Sequence, residues 1–310
     1  MRLLTIHIIL MLTLLLPALA DEVTPNDNGL VFRVATFNIR CPGDKPPNTW
    51  QERMPRINAV LKNHQIDLVG LQEATYQQLQ AIIQDTGLAY IGKGRSDGDK
   101  RGEHSCILYR EERFECLESH TFWLSETPEK PGSRSWKSVC PRICTWGRFR
   151  DRRSGIIFVH INTHLDHGSP AARENGAKLI ISKLPDIQRK QPAILTGDFN
   201  AVPDSPPIKI LMGAFKNSAR HSLAEPTGPT GTGHGYKPTP EKLARPPIDF
   251  VFVSQCFEVL EHHTLTDTFD GLYPSDHFPV LAVLRLPKPE KPTAAPEPQN
   301  IAPAVPAAAP

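Results

Sequence analysis

Several apolar runs in this sequence end in a carboxylate, an amide or an imidazole. Asn38 follows Val34-Ala35-Thr36-Phe37, and Glu73 follows Leu68-Val69-Gly70-Leu71-Gln72. His164 and Asp166 follow Phe158-Val159-His160-Ile161-Asn162-Thr163, and Asp198 and Asn200 follow Ile194-Leu195-Thr196-Gly197. Asp249 opens the run Phe250-Val251-Phe252-Val253, and Asp276-His277 stands before Phe278-Pro279-Val280. Strand ends face solvent clefts. If these ends converge, one cleft holds several carboxylates, two amides and two imidazoles. Asp, Glu and Asn are hard oxygen donors suited to magnesium, manganese or calcium, whereas zinc usually takes more His or Cys. Magnesium keeps waters and completes its shell with phosphate oxygens, which points to phosphoester chemistry. Histidines beside acids add what hydrolysis needs, an imidazole fixed by a carboxylate and a cation near developing negative charge. Each residue alone has a plainer alternative. Asn38 could cap a turn, Glu73 could cap a helix, Asp249 could be a turn residue and His277 a satisfied buried histidine.

These residues need strands to carry them. Leu30 to Asn38 is rich in β-branched and aromatic residues and is expected to be a strand. Trp50, Met54, Ile57, Val60 and Leu61 recur at helical spacing, and Ile66 to Leu71 is a short buried-strand run. Thr75 to Asp85 is expected to be helical. Cys106 to Tyr109, Phe114 to Thr121, Thr145 to Phe149 and Gly155 to Asn162 then form a series of strands, followed by a helix from Ala171 to Leu184. Ala193 to Thr196, Asp249 to Val253 and Val280 to Leu286 are further strands, with a short helix at Pro207 to Met212. Pro226 to Pro247 is a Gly/Pro-rich loop too long for a mere connection. The mixture without strict alternation favours two packed sheets covered by helices over a barrel.

Composition excludes several classes. The 310 residues are 39% hydrophobic and 22% charged with a formal net charge of +2, so the totals demand neither disorder nor a polyanionic partner. Residues 1–20 combine Arg2, an apolar run from Leu3 to Leu16 and Ala18-Leu19-Ala20 before Asp21, the pattern of a signal peptide. An exported protein, periplasmic or extracellular, without stable membrane insertion, is the expectation. Residues 21–29 are a short linker, 30–286 the folded domain, and 287–310 a Pro/Ala-rich tail that cannot repay its ordering by burial. The six cysteines fit no zinc pattern, and Cys140 and Cys144 are close enough to pair. Nothing implies a protein partner, and a monomer is expected.

The segments Thr36-Phe37-Asn38-Ile39-Arg40, Gly70-Leu71-Gln72-Glu73, Asn162-Thr163-His164-Leu165-Asp166, Gly197-Asp198-Phe199-Asn200, Ile248-Asp249-Phe250-Val251-Phe252 and Ser275-Asp276-His277-Phe278-Pro279-Val280 resemble, in order, those of the endonuclease/exonuclease/phosphatase superfamily. Phe122 to Pro128 and Pro141 to Trp146 look like an exported bacterial branch of it. The resemblance implies an α/β four-layer sandwich, two mixed sheets face to face with helices outside. It implies a Mg2+ (or Mn2+) site at Glu73 with Asn38 and Asp276. It gives Asp198 and Asn200 the orientation of water and phosphate, and His277 paired with Asp249. His164 would stabilise or protonate oxygens of the transition state, with Glu103 orienting it, and Arg142 and Asp166 would bind substrate. Either His277-Asp249 or Asp198 would be the base in an in-line attack by water. Within this family the sequence favours a nuclease, with basic runs at Lys93, Arg95, Lys100 and Arg101 and at Arg142, Arg148, Arg150, Arg152 and Arg153 available for nucleic acid, and Trp123, Trp136 and Trp146 available for stacking. A phosphatase or phosphodiesterase on inositol phosphates, phospholipid head groups or sphingomyelin is the alternative, and a catalytically inactive binding protein a further one.

Overall fold

The computed structural model describes residues 29–287. The expected signal peptide, most of the linker and nearly all of the tail lie outside the described residues.

Two six-stranded sheets lie face to face. The first has the order β11 (Glu258–Thr264), β12 (Val280–Leu286), β1 (Leu30–Asn38), β2 (Leu68–Gln72), β4 (Ile107–Tyr109) and β3 (Ala89–Ile91). The second has the order β5 (Phe114–Trp123), β6 (Ile143–Asp151), β7 (Ile157–His164), β8 (Ala193–Asp198), β10 (Asp249–Val253) and β9 (Lys216–Asn217). Each sheet has one parallel pair at its centre, β1 with β2 and β7 with β8, and antiparallel neighbours elsewhere. The crossovers of those pairs are helices, α1 (Trp50–Asn63) in one and α3 (Pro170–Gln188) in the other. With α2 (Tyr76–Thr86) on the first sheet and α4 (Pro206–Met212) beside α3, the result is the four-layer sandwich.

Three apolar clusters fill the spaces between layers. Phe32, Phe114, Phe149 and Phe158 meet between the sheets, Ile57, Val60, Leu79 and Ile82 under α1 and α2, and Ile180, Leu184, Ile208 and Leu211 under α3 and α4. Local signals start the helices where expected. The Thr75 N–H donates to Gln78 Oε1 at 3.0 Å, and Ser169 Oγ accepts from Ala172 N at 3.2 Å with Pro170 in the first turn.

Between the sheets, near the functional end, the packing turns polar. Gln72 Nε2 donates to Asn162 Oδ1 at 2.8 Å and to Thr36 Oγ1 at 3.0 Å, while Asn162 Nδ2 donates to the carbonyls of Leu71 and Cys106 at 2.8 and 2.9 Å. Any Cβ at Gly70 would collide with Thr196 Oγ1 and the Asn162 amide, so the sheets approach this closely only because residue 70 is glycine.

Three elements differ from expectation. β11 escaped the sequence pattern because its residues, Glu-Val-Leu-Glu-His-His-Thr, are those of a polar edge strand. β3 and β9 are too short to carry a pattern. The loop from Pro226 to Pro247 contains one helical turn, α5 (Pro240–Leu243), and clamps the segment after it: the N–H groups of His234 and Gly235 both donate to the Asp276 carbonyl, and Phe278 N donates to Thr232 O. All six cysteines are free, and Cys144 points into the core under α3 while Cys140 sits on the cleft, which keeps the expected candidate pair apart. Among the described residues no helix is long and apolar enough to cross a membrane.

Candidate active site

Strand register brings the polar ends together. Asn38 lies opposite Gln72, next to Glu73; His164 lies opposite Asp198; Asp198 lies opposite Asp249. Asp276 and His277 arrive just before β12. Arg40, Glu73 and Asn200 all hold positive φ, at 59°, 62° and 46°. Left-handed backbone at three such residues is uncommon and clusters at functional sites.

Glu73, His164, Asp198, Asn200, Asp276 and His277 line a cleft of about 310 Å³ with Arg40, Arg95, Arg142, Glu103 and His167, and Asn38 and Asp249 lie buried behind it. At its floor His277 Nδ1 donates to Asp249 Oδ2 at 2.9 Å, with Asp198 Oδ2 at 3.9 Å. Burial works against a charge on His277, but Asp249, Asp198 and Asp276 outweigh it and push the imidazole up to about 10. Burial, then the neighbouring Asp249 charge, pushes Asp198 up to about 7. Asp198 is positioned by Asn38 Nδ2 at 3.0 Å and by the Asn200 N–H at 2.9 Å. Asn200 Nδ2 donates to His164 Nε2 at 3.0 Å and to Leu165 O at 3.1 Å. Burial and the Arg142 and Arg95 charges hold His164 well below its usual range, so it is a neutral imidazole.

Glu73 and Asp276 form the second half of the site. Glu73 stays an anion despite burial, because Asn38 Nδ2 at 3.1 Å, the Cys41 N–H at 3.1 Å and Arg40 all favour its charge. Asp276 is raised, chiefly by burial. The Arg40 guanidinium lies 3.8 Å from both Glu73 and Asp276 and 3.4 Å from Asp44, a cation among hard oxygen donors. These donors fit a hard divalent ion. Asp198, Asp249 and His277 also converge, each offering an atom within 4.8 Å of the others. Since the His277 nitrogen facing them is engaged by Asp249, that trio has the form of a hydrogen-bonded acid–base group, and Glu73 with Asp276 the form of an ion site.

Two sequence expectations are corrected. Glu103 does not orient His164: Arg95, eight residues earlier in the same loop, binds its carboxylate at 2.7 and 2.8 Å. Asp166 does not face substrate: it is buried, and its oxygens accept N–H groups from Val139, Gly168 and Ser169. Asn38 turns its NH2 toward Glu73 and Asp198 while its oxygen accepts from Arg40 N, so it positions both carboxylates at the expected ion site. Arg142 lines the cleft. It is buried, Nη2 donates to His167 Nδ1 at 2.8 Å, and Nε and Nη1 have no hydrogen-bond partner among the described residues.

The basic and aromatic residues read for nucleic acid divide. Lys93, Lys100 and Arg101 are exposed in the loop that carries Arg95 to the cleft. Arg148 is bound to the carbonyls of Ile187 and Gln188, and Arg150 pairs with Glu115. Both stand toward the far end of β6, about 20–25 Å from Arg142 at strand spacing. Trp123 and Trp146 are core residues. Sequence reasoning missed Arg40 and Arg53. Arg53 is fully buried in α1 and donates to the carbonyls of Ile39, Arg40, Cys41 and Asn48, which fixes the chain leaving Asn38. Its only sequence signal was a charge on the apolar side of a helix.

Comparison with known proteins supports the same assignment. The chain is similar to an endonuclease/exonuclease/phosphatase from Bacteroides vulgatus, with 37% identity, a TM-score of 0.79, and 83% of this chain and 99% of that one covered. It is similar to a mannosyl-6-phosphatase from Bacteroides thetaiotaomicron, with 35% identity, a TM-score of 0.77, and 82% and 99% covered. It is 28% identical to Protein angel of Drosophila melanogaster over 189 residues, 57% of this chain and about half, 51%, of that protein's length. The model of the Endonuclease/Exonuclease/phosphatase family matches residues 35–277, a span that takes in every strand end of the cleft except the start of the last strand. The chain belongs to that family.

Proposed function

We propose that this protein is an exported, divalent-metal-dependent phosphoester hydrolase whose substrate is a compact phosphomonoester, with phosphorylated sugars as the favoured class. Arg142 carries the reading: a buried guanidinium on the cleft wall, its Nε 3.6 Å from Asp166 Oδ2 and its Nη1 without a hydrogen-bond partner among the described residues, suits a phosphoryl group in a cleft at the small end of ligand pockets. The likeness to a mannosyl-6-phosphatase over 99% of its chain supports the same class.

Asp198, poised near 7, takes the proton of the attacking water, and Asn200 and Asn38 hold it in place. Imidazolium His277, fixed by Asp249, faces the phosphoryl oxygens as a proton donor. Neutral His164 and the Asn200 amide orient the remaining oxygens, and Arg142 neutralises their charge. Glu73 and Asp276 would hold Mg2+ or Mn2+, which supplies charge neutralisation at the phosphate.

A nuclease is the second reading, favoured by exposed Lys93, Lys100 and Arg101 beside the cleft. One assay separates them: phosphate release from mannose 6-phosphate and a phosphorylated glycan, against cutting of single-stranded DNA and RNA, with Mg2+ or chelator. Chelator-sensitive phosphate release without nucleic-acid cutting is expected. Cutting of DNA or RNA without phosphate release would replace the phosphatase with the nuclease.

A further inference from the structure

Beside the oxygen-lined reaction centre stands a second group of different chemistry. Cys140, Asp166 and His167 each offer one ligand atom, and these lie within 4.8 Å of one another. Cys140 and His167 line the cleft wall, and Asp166 lies buried behind them. The Cys140 thiol is half-buried and free of any disulfide. Asp166 is fixed beforehand by N–H donors from Gly168 at 3.0 Å, Ser169 at 2.8 Å and Val139 at 3.0 Å. Sulfur and imidazole nitrogen select zinc-class cations, whereas the oxygens of Glu73 and Asp276 select magnesium-class ones.

Arg142 decides the consequence. Its Nη2 donates to His167 Nδ1 at 2.8 Å, so Nδ1 carries the lone pair and Nε2 the proton. A cation on Nδ1 consumes that lone pair. A cation on Nε2 moves the proton to Nδ1, which then faces Arg142 as a second donor. Either way the Arg142–His167 bond is lost. Arg142, whose Nε lies 3.6 Å from Asp166 Oδ2 in a buried ion pair, opposes the cation by its charge, and the thiolate, formed by loss of its proton to solvent, offsets it together with Asp166.

We propose that Cys140, Asp166 and His167 form a site for a thiophilic divalent cation of the zinc class, whose occupation frees Arg142 from His167 and so weakens phosphoryl binding. The site is inhibitory and separate from the ion ligands of catalysis. The coupling rests on the role of Arg142 proposed above; the binding does not.

The test titrates Co2+ into the full chain with excess Mg2+ and follows the near-ultraviolet thiolate-to-cobalt charge-transfer band, with circular dichroism reporting the fold of each variant. A band in the wild type that is lost in Cys140→Ser, with affinity lowered about tenfold or more in His167→Ala, is expected. No band in the wild type, or a band retained in Cys140→Ser, overturns the site. In parallel, Zn2+ is expected to raise KM for a phosphoester about tenfold in the wild type and to leave KM of Cys140→Ser unmoved. Equal inhibition of both proteins overturns the coupling while the cobalt result still reports on the site.

Discussion

His277 Nδ1 lies 2.9 Å from Asp249 Oδ2, and Asp198 stands opposite Asp249 in the strand register. The histidine therefore keeps its proton while a neighbouring carboxylate gains basicity. Both groups are raised, which leaves the imidazole an acid and makes the carboxylate a base, and so they divide the acid and base work.

Activity should accordingly rise with pH as Asp198 loses its proton near 7 and fall as His277 loses its own near 10. Asp249 raises both groups, so Asp249→Asn should move both limbs to lower pH and cut kcat about 10²- to 10⁴-fold. A kcat profile of the metal-loaded variant checks this. An alkaline limb left in place would separate His277 from the reaction.

Replacing Arg142 should act on substrate binding. Because its charge is buried on the cleft wall and its Nη1 is free of a hydrogen-bond partner among the described residues, Arg142→Ala should raise KM about 10- to 100-fold, with Arg142→Lys recovering part of the loss. Steady-state kinetics over a range of phosphomonoester concentrations decide it; an unchanged KM would remove Arg142 from phosphoryl recognition.

Arg40 shares Glu73 and Asp276 with the expected ion at 3.8 Å each. Its side chain is 39% exposed, so the pairs are partly screened and the competition modest. Arg40→Gln should raise divalent-ion affinity about fivefold, whereas Glu73→Gln should abolish it. Calorimetric titration of chelator-stripped protein with Mn2+ would expose the opposite order.

The fold and the chemistry were legible to different depths. Apolar runs ending in Asn38, Glu73, His164 and Asp198 pointed to both the strands and the candidate site, because buried parallel strands carry long apolar patterns and polar residues at their ends interrupt them. Arg40 and Arg53 were hidden, since their roles depend on carbonyls and carboxylates distant in sequence or on an unusual backbone angle. Glu103 and Asp166 misled because residue type and spacing cannot tell which neighbour claims a carboxylate; Arg95 and three backbone N–H groups did so here.

The polar contact between the sheets should cost stability when broken. Asn162→Leu removes one hydrogen-bond partner each from the Leu71 and Cys106 carbonyls, the Gln72 amide and the Thr196 hydroxyl, all of them buried. A loss of about 3 kcal/mol in denaturant unfolding is expected. A loss under about 0.5 kcal/mol would mean the network adds nothing to stability.

The most direct measurement of the central claim is chelator-sensitive hydrolysis of a phosphomonoester by the wild type and by Asp198→Asn, whose shape is the same. The account predicts a rate about 10³-fold lower in the variant with an unchanged melting temperature. A variant that hydrolyses at the wild-type rate would contradict it.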